Sequence, residues 1–253
     1  MKIIEATTVN DAYSQLMDAL LIDGEKVADT KEIRNCIVIV KEPSLDNMHF
    51  RYRPLSMKYA MAELEWYWTG NNSCHAIGQH AKKWLSITDD GHTSNSAYGY
   101  ILFKKYNKNQ LEEIIEMLQK DPESRRAVLN ISDPTLDKIK TKDMQCTISL
   151  QFFVRDGKLH TTVYMRSNDV YYGFPYDYIF FVSIANYIAL RLGLDLGEYV
   201  HHAGSMHIYD SSRSKLSESN ATYTIDVNRF YEMYEQMKGN AQYEKSTNNH
   251  DNR

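Results

Sequence analysis

The stretch that decides the fold runs from Cys146 to Asp177 and reads CTISLQFFVRDGKLHTTVYMRSNDVYYGFPYD. Apolar and polar side chains alternate on both sides of Asp156-Gly157, a pair typical of tight turns, so the pattern predicts an antiparallel hairpin. The motif Arg166-Ser167-Asn168-Asp169 follows the hairpin, and Gly173-Phe174-Pro175-Tyr176-Asp177 follows that motif. One short segment therefore carries a thiol nucleophile, a guanidinium that can bind an anion, and a carboxyl group that can read a planar edge.

Length and charge limit the possible partners. The chain has 253 residues, a formal net charge of -4 and a pI near 6.1. This length fits one domain with a large core, which we expect over 1–240, and the polar segment 241–253 is expected to be a mobile tail. The charge provides no basic field for long nucleic acid, although a local arginine cluster can bind the phosphate of one nucleotide.

Cysteine usage and hydropathy indicate a cytoplasmic protein. The three cysteines, Cys36, Cys74 and Cys146, are odd in number and widely spaced. They predict neither a disulfide framework nor a metal site. We also expect no signal peptide and no membrane segment, because no apolar run approaches the roughly 20 residues that a bilayer requires.

Periodicity predicts an α+β protein with helices packed on a mainly antiparallel or mixed sheet. The predicted helices include positions 12–20, 56–68, 75–84, 111–118 and 176–192. The predicted strands are 36–40, 127–131, 146–154, 159–166 and 199–209. The last of the five helices is apolar on most sides and should be buried.

Cys146 precedes Ile148, Leu150 and Phe152 at period two, so its side chain is expected on the same face as those residues. A lone cysteine is often a small core residue, and that interpretation remains open here. The alternative is a nucleophile, because Arg166 and the pair Arg125-Arg126 could lower the pKa of the thiol.

Other polar residues also have two interpretations. Arg125-Arg126 is either a solvated corner or a phosphate clamp, which the hydroxyl of Ser167 could join. Glu63 lies on an aromatic helix, where it is either salt-bridged or a proton relay with a raised pKa. His207 and Tyr209 share one strand face, either as surface groups or as groups that recognise hydroxyls.

Eight strings resemble the thymidylate synthase and pyrimidine hydroxymethylase superfamily from about Ser56 to Tyr209. They are Glu63-Leu64-Glu65-Trp66, Tyr98-Gly99, Asp121-Pro122-Glu123-Ser124-Arg125-Arg126, Gln145-Cys146-Thr147, Gln151-Phe152, Arg166-Ser167-Asn168-Asp169-Val170, Gly173-Phe174-Pro175-Tyr176-Asp177 and Gly204-Ser205-Met206-His207-Ile208-Tyr209. The resemblance implies a thymidylate synthase-like fold whose sheets pack at a homodimer interface.

The resemblance assigns roles to residues around a pyrimidine mononucleotide. Cys146 would add to C6 of the base. The sugar hydroxyl would contact His207 and Tyr209. The 5'-phosphate would bind to four residues, two of them reaching across from the partner subunit so that the active sites are shared: Arg166 and Ser167, with Arg125 and Arg126 from the partner. A further N-terminal phosphate ligand would be Lys31 or Arg34.

The resemblance also implies 5,10-methylene-tetrahydrofolate as co-substrate and no metal. Asp169 would contact the pterin and Trp84 would pack near the folate. Glu63 would relay protons through water, and Tyr98 would belong to the polar network near the base.

Asp177 departs from the thymidylate synthases, which carry Asn at this position. An amide both accepts from uracil N3–H and donates to O4, whereas a carboxylate cannot donate to O4. Cytosine offers an N4 amino donor and an N3 that can take up a proton, so Asp177 favours a cytosine nucleotide. Pairing of Asp177 with a neighbouring cation is the structural alternative.

Further departures resemble the phage-type deoxycytidylate hydroxymethylases, notably Thr147, Ser205, Glu65 and the string Met165-Arg166-Ser167-Asn168-Asp169. The polar chain end also favours entry of water over its exclusion. We therefore predict a homodimeric dCMP 5-hydroxymethylase, in a host cytoplasm if the gene belongs to a phage. The alternatives are a dCMP or dUMP methylase, a CMP hydroxymethylase, and a catalytically silent homologue that binds nucleotide or RNA.

Overall fold

A computed structural model describes residues 1–250, with side chains up to residue 240. The helices are α1 (Val9–Asp23), α2 (Met57–Trp68), α3 (Cys74–Gly78), α4 (Lys83–Ile87), α5 (Tyr98–Phe103), α6 (Gln110–Lys120), α7 (Phe174–Leu192), α8 (Asp210–Arg213) and α9 (Asn228–His250). The strands are β1 (Lys2–Ala6), β2 (Glu25–Val27), β3 (Thr30–Val40), β4 (Val128–Asn130), β5 (Thr147–Arg155), β6 (Lys158–Met165), β7 (Asn168–Asp169) and β8 (Asp195–Tyr209).

The strands form one mixed sheet, which confirms the predicted fold class. Its order is β1-β3-β8-β6-β5-β4, with β2 paired to β3 and β7 paired to β8. Strand β8 pairs antiparallel with β3 and parallel with β6. Because β8 touches both the N-terminal strands and the central hairpin, it joins the two halves of the sequence at the centre of the sheet.

The hairpin β5–β6 forms where the sequence predicts it. Asp156 and Gly157 both have positive φ, 51° and 72°. Two consecutive positive φ values match the right-handed twist of the flanking strands, which is why Asp-Gly is favoured in such turns. The turn fixes the pairing of β5 with β6 and thereby places Cys146 beside Arg166.

Helix α7 is the buried helix of the fold. Pro175 lies in its first turn, and the helix ends at Gly193, whose φ of 69° is left-handed. Trp68, at the end of α2, is fully buried and donates from its indole nitrogen to Ser183 of α7 at 3.0 Å. This bond ties the middle of α7 to the end of α2, and the first turn of α7 carries Asp177.

Two expectations about local structure are wrong. The helix predicted over 75–84 is divided into α3 and α4, because the chain turns back after Gly78 and the side chain of Leu85 packs on its α-carbon. A β-carbon at Gly78 would lie 2.6 Å from Leu85. Cys146, Ile148 and Leu150 also do not share one face: Cys146 packs against the core that contains Leu150, whereas Ile148 does not, because the register shifts between Thr147 and Ser149. This bulge leaves Ile148 44% exposed and makes Thr147 continue the buried face.

The C-terminal part of the chain is helical further than its composition suggests. Helix α9 runs through most of the segment predicted to be a mobile tail. Residues 251–253, and the side chains from 241 onward, lie outside the described residues, so the expected mobility stays a prediction. Within 1–250, no helix combines the length and the apolar character needed to cross a bilayer.

Candidate active site

Cys146 lies directly before β5, partly buried, at the end of the sheet where β6 gives way to Arg166. The backbone N–H of Arg166 donates to the carbonyl of Cys146 at 2.9 Å. Its guanidinium donates to the carbonyls of Gln145 and Met144, and Nη2 lies 3.7 Å from the Cys146 sulfur. The structure thus brings the predicted nucleophile and the predicted phosphate ligand into direct contact.

The pKa of the Cys146 thiol is raised, contrary to the expectation that arginines would lower it. Burial is the main cause, and the charges of Asp177, Asp143 and Asp169 add to it. Arg166 is the cation that opposes the increase. Without ligand, the site therefore favours the thiol form, and thiolate formation depends on Arg166.

Asp177 lies in the first turn of α7 and is held by Asn168 of β7. The side-chain amide of Asn168 donates to Oδ2 of Asp177 at 2.7 Å. Burial raises the pKa of Asp177 to about 7, the bond from Asn168 opposes this, and the charge of Asp169 adds to it. This carboxyl group can therefore be protonated or ionised near neutral pH.

Glu63 is buried on α2 and belongs to a hydrogen-bonded chain of three side chains. The indole N–H of Trp84 donates to the hydroxyl of Tyr59 at 3.0 Å, and that hydroxyl donates to Oε1 of Glu63. Burial raises the pKa of Glu63 to about 8, while the bond from Tyr59 lowers it. Glu63 has no salt bridge within the described residues, so the proton-relay interpretation is favoured over the structural one.

Tyr98 is buried at the start of α5, with its ring stacked on Tyr67 at a centroid distance of 5.3 Å. Burial raises the pKa of Tyr98 well above its usual value, and the charges of Asp177 and Cys146 contribute. Gly99 makes this position possible, because a β-carbon there would lie 1.7 Å from the carbonyl oxygen of Tyr67. The Tyr98-Gly99 string therefore places a neutral hydroxyl within range of the charges of Asp177 and Cys146.

The residues predicted to contact the sugar, and Asp169, which is predicted to contact the pterin, cluster along β7 and β8, whereas Trp84 lies on α4. Asp169 pairs in register with His207, and the Ser167 hydroxyl lies 3.4 Å from His207 Nδ1. The rings of His207 and Tyr209 meet edge to face at 5.2 Å, which confirms that they share one strand face. The backbone N–H groups of Tyr171 and Tyr172 bind Oδ1 of Asp169, so Oδ2 stays available as an acceptor.

Arg125 and Arg126 do not join this cluster within one chain. Both are exposed before β4, and the carbonyl of Arg125 accepts a bond from Gln151 at 3.0 Å. Their predicted reach into a partner subunit stays a prediction.

Lys31 and Arg34 differ in their availability. The ammonium of Lys31 donates to the carbonyl of Leu21 at 2.6 Å, inside the protomer. Arg34 is exposed, 3.9 Å from Glu25, and lies opposite Ser205 of β8. Because the N–H of Ser205 donates to the carbonyl of Arg166, Arg34 lies next to the Arg166-Ser167 motif that is predicted to bind the phosphate.

Sequence reasoning missed three residues in this region. Tyr59 precedes Glu63 by one helical turn, a spacing from which contact could have been predicted. Asn168 was quoted only as part of a motif, and its bond to Asp177 depends on the turn between β7 and α7. Arg53 is buried in the segment that precedes α2. Its guanidinium lies 4.8 Å from the ring centroid of Tyr176 and donates to the hydroxyl of that residue at 3.2 Å.

Among the described residues, no group of three or more His, Cys, Asp and Glu side chains is placed to bind a metal ion. The arrangement consists of the thiol of Cys146, three carboxyl groups with raised pKa values, and the guanidinium of Arg166. Such a set can perform nucleophilic addition to an electron-poor ring with proton transfer.

The chain belongs to the thymidylate synthase family, whose model matches residues 11–241. The fold agrees with this assignment: the structure of thermostable thymidylate synthase A from Bacillus subtilis superposes with a TM-score of 0.65. At 22% identity it covers 83% of this chain and 86% of its own.

Individual relatives differ in the activities that their names state. A "Putative thymidylate synthase" of Methanocaldococcus jannaschii is 33% identical over 83% of this chain and 91% of its own. A deoxyuridylate hydroxymethyltransferase of Bacillus phage SP01 is 29% identical over 87% of this chain and 60% of its own. A deoxycytidylate 5-hydroxymethyltransferase of Enterobacteria phage T4 is 29% identical over 71% of this chain and 76% of its own. Similarity thus identifies the family and leaves the base and the product to be argued from the site.

Proposed function

We propose that the protein is a homodimeric 5-hydroxymethylase of cytidine monophosphates that prefers dCMP and uses 5,10-methylene-tetrahydrofolate. The observation that carries this proposal is the carboxyl group of Asp177, the residue expected to read the base, which contacts Asn168 rather than a cation. The alternative in which a cation neutralises Asp177 receives no support from its hydrogen bond.

Asp177 suits cytosine because one proton can be shared between the acid and the ring. As the thiolate of Cys146 adds to C6, the ring electrons move toward N3, and the proton of Asp177 passes to that nitrogen. The resulting carboxylate faces two N–H donors, at N3 and N4. With uracil the charge would develop on O4 instead, where a carboxylate is repelled and a buried group is left unpaired, at a cost of roughly 1–3 kcal/mol.

The phosphate would bind to Arg166 and Ser167, with Arg34 as the N-terminal ligand. Arg125 and Arg126 of the second protomer would complete the set, since guanidinium forks match phosphate oxygens. A bound phosphate would draw Arg166 away from the sulfur of Cys146 only in part, because the guanidinium is also anchored to two backbone carbonyls.

The residues on the other side of the site fit a reduced pterin. Oδ2 of Asp169 can accept from the N–H groups of a cyclic amide, and the partly exposed indole of Trp84 supplies an aromatic wall. The folate, when bound there, supplies a one-carbon unit at the oxidation level of formaldehyde. Glu63, with its pKa near 8, can take up and return protons through water close to that wall.

C5 would then lose its proton to a base, and the bond from the transferred carbon to tetrahydrofolate would break. Water would add to the resulting exocyclic carbon, and departure of the Cys146 thiolate from C6 would give the hydroxymethyl product. A methylase must keep water out at this stage, whereas a hydroxymethylase must admit it. The phage relatives carry out hydroxymethylation on either base according to their names, so the product and the base need separate tests.

Product analysis tests the proposal. Enzyme, methylene-tetrahydrofolate and either dCMP or dUMP are incubated, and the nucleotide and folate products are identified by mass spectrometry. We expect 5-hydroxymethyl-dCMP with tetrahydrofolate, and much slower turnover of dUMP and CMP. A methylated nucleotide with dihydrofolate would assign the protein to the methylases, and faster turnover of dUMP would overturn the base assignment. Nucleotide binding without turnover would indicate a silent homologue.

A further inference from the structure

A buried amide on β7 controls the geometry of the proposed base-reading acid. Asn168 is 2% exposed, and its Nδ2 donates to Oδ2 of Asp177 at 2.7 Å. Its own Oδ1 is buried and accepts no hydrogen bond from the described residues. An unpaired buried amide oxygen is destabilising, so a residue that keeps this arrangement is held there for something other than stability.

The backbone around the pair is shaped to accommodate it. A β-carbon at Gly173 would lie 2.9 Å from Nδ2 of Asn168 and 3.2 Å from Oδ2 of Asp177. Gly173 has an ordinary φ of -91°, so its lack of a side chain serves this close approach rather than an unusual backbone conformation. The contact between the amide and the carboxyl group therefore depends on three residues from the two neighbouring motifs.

The direction of the hydrogen bond fixes which oxygen of Asp177 can carry a proton. Because Nδ2–H of Asn168 donates to Oδ2, that oxygen is an acceptor, and a proton on the acid must sit on Oδ1. Oδ1 accepts no bond from the described residues and, unlike the Asn168 oxygen, is not sealed inside the protein. Asp177 thus presents a donor O–H from Oδ1.

We propose that Asn168 is a positioning residue that holds the proton of Asp177 on Oδ1 and thereby selects cytosine over uracil. This inference rests on the proposed function. Cytosine presents an acceptor at N3, which matches the O–H of Oδ1. Uracil presents N3–H at the same place, so two donors would oppose each other.

Removal of Asn168 releases this constraint. The proton can then move to Oδ2, and the acid can imitate an amide, accepting from uracil N3–H and donating to O4. The carboxylate also loses its donor, so Asp177 stays protonated to higher pH. An amide at position 177 has no mobile proton, so Asn168 should influence base choice much less once Asp177 is replaced by Asn.

The test uses Asn168→Leu, which has a similar shape and removes both the unpaired oxygen and the hydrogen bond to Asp177. Its melting temperature is measured alongside that of the wild type to show that the variant is folded. Dissociation constants for dCMP and dUMP are measured by calorimetry in the wild type, Asn168→Leu, Asp177→Asn and the double variant. We expect the preference for dCMP to fall at least about tenfold in Asn168→Leu and to change less than about threefold when Asn168→Leu is added to Asp177→Asn. The pH midpoint of dCMP binding, near 7 in the wild type, should rise in Asn168→Leu.

The outcomes separate the two proposals. A wild type that does not prefer dCMP contradicts the base assignment itself. A wild type that prefers dCMP, with a preference unchanged in Asn168→Leu or changed by the same factor in both backgrounds, overturns the role of Asn168 alone. If Asn168→Leu does not fold, Asn168→Ala is measured with the same criteria.

Discussion

The guanidinium of Arg166 contacts the sulfur of Cys146, with Nη2 3.7 Å from Sγ, while two backbone carbonyls anchor the same guanidinium. One side chain therefore serves the nucleophile and, in the proposed function, the phosphate. The pKa of the thiol is raised by burial, and this contact is the main opposing influence.

Arg166→Met should slow the alkylation of Cys146 by iodoacetamide roughly tenfold at pH 8, because loss of the positive charge disfavours the thiolate. The rate is followed by mass spectrometry of the peptide that contains Cys146. Arg155→Met is the matched control, because its guanidinium binds backbone carbonyls at the far end of β5. An unchanged rate in Arg166→Met would show that the contact does not activate the thiol.

Tyr59→Phe should raise the pKa of Glu63 above its value near 8, because the phenol donates to the ionised carboxylate. In the pH profile of turnover, the midpoint that reflects ionisation of Glu63 should move upward by about one pH unit. Tyr52→Phe removes a similar tyrosine–carboxylate bond, to Asp18, away from the site and should leave the profile in place. If the pH profiles of Tyr59→Phe and the wild type are equal, the hydrogen bond from Tyr59 does not affect the ionisation of Glu63.

Arg34→Ala should weaken dCMP binding about tenfold and leave the binding of deoxycytidine, which lacks the phosphate, unchanged. Lys31→Ala should have little effect on either, because its ammonium is already bound to the carbonyl of Leu21. The dissociation constants are compared by calorimetry. A larger loss in Lys31→Ala would reverse the assignment of the N-terminal phosphate ligand.

Asp177→Asn should shift the preference of turnover from dCMP toward dUMP, because an amide can donate to O4 and accept from N3–H. The specificity constant is measured for both nucleotides by chromatography of the products. Unchanged discrimination would mean that another residue selects the base.

Gly99→Ala should lower the free energy of unfolding by about 3 kcal/mol or more, since a β-carbon would lie 1.7 Å from the backbone of Tyr67 and drive α5 from α2. Gly239→Ala is the control: among the described side chains nothing lies within 4 Å of its added β-carbon, and alanine stabilises a helix interior by roughly 0.5–1 kcal/mol. Denaturant titration measures both. A Gly99→Ala variant as stable as the wild type would contradict this packing.

Local patterns predicted the elements that carry the site. Alternation around Asp156-Gly157 gave the hairpin, and the same hairpin brings Cys146 next to Arg166. The bulge at Ile148 was not predictable, because an inserted residue leaves the apolar pattern of β5 intact while it changes which side chains face inward. The division of the helix over 75–84 likewise depends on tertiary contact between Gly78 and Leu85.

The pKa values of the site residues were less predictable than the identity of those residues. The arginines in the sequence suggested a lowered thiol pKa, but three carboxylates and burial outweigh the single arginine that reaches the sulfur. The contact between Asn168 and Asp177 spans a turn whose geometry no periodicity encodes. Residues could therefore be assigned to the site from sequence, whereas their protonation required the structure.

Release of tritium from the 5 position of dCMP tests the central claim most directly. If Cys146 adds to C6 and C5 then takes up the one-carbon unit, [5-³H]dCMP should lose tritium to water in step with hydroxymethyl product, and Cys146→Ser should release none. Retention of tritium by wild-type enzyme that has been supplied with methylene-tetrahydrofolate would contradict covalent activation of the cytosine ring.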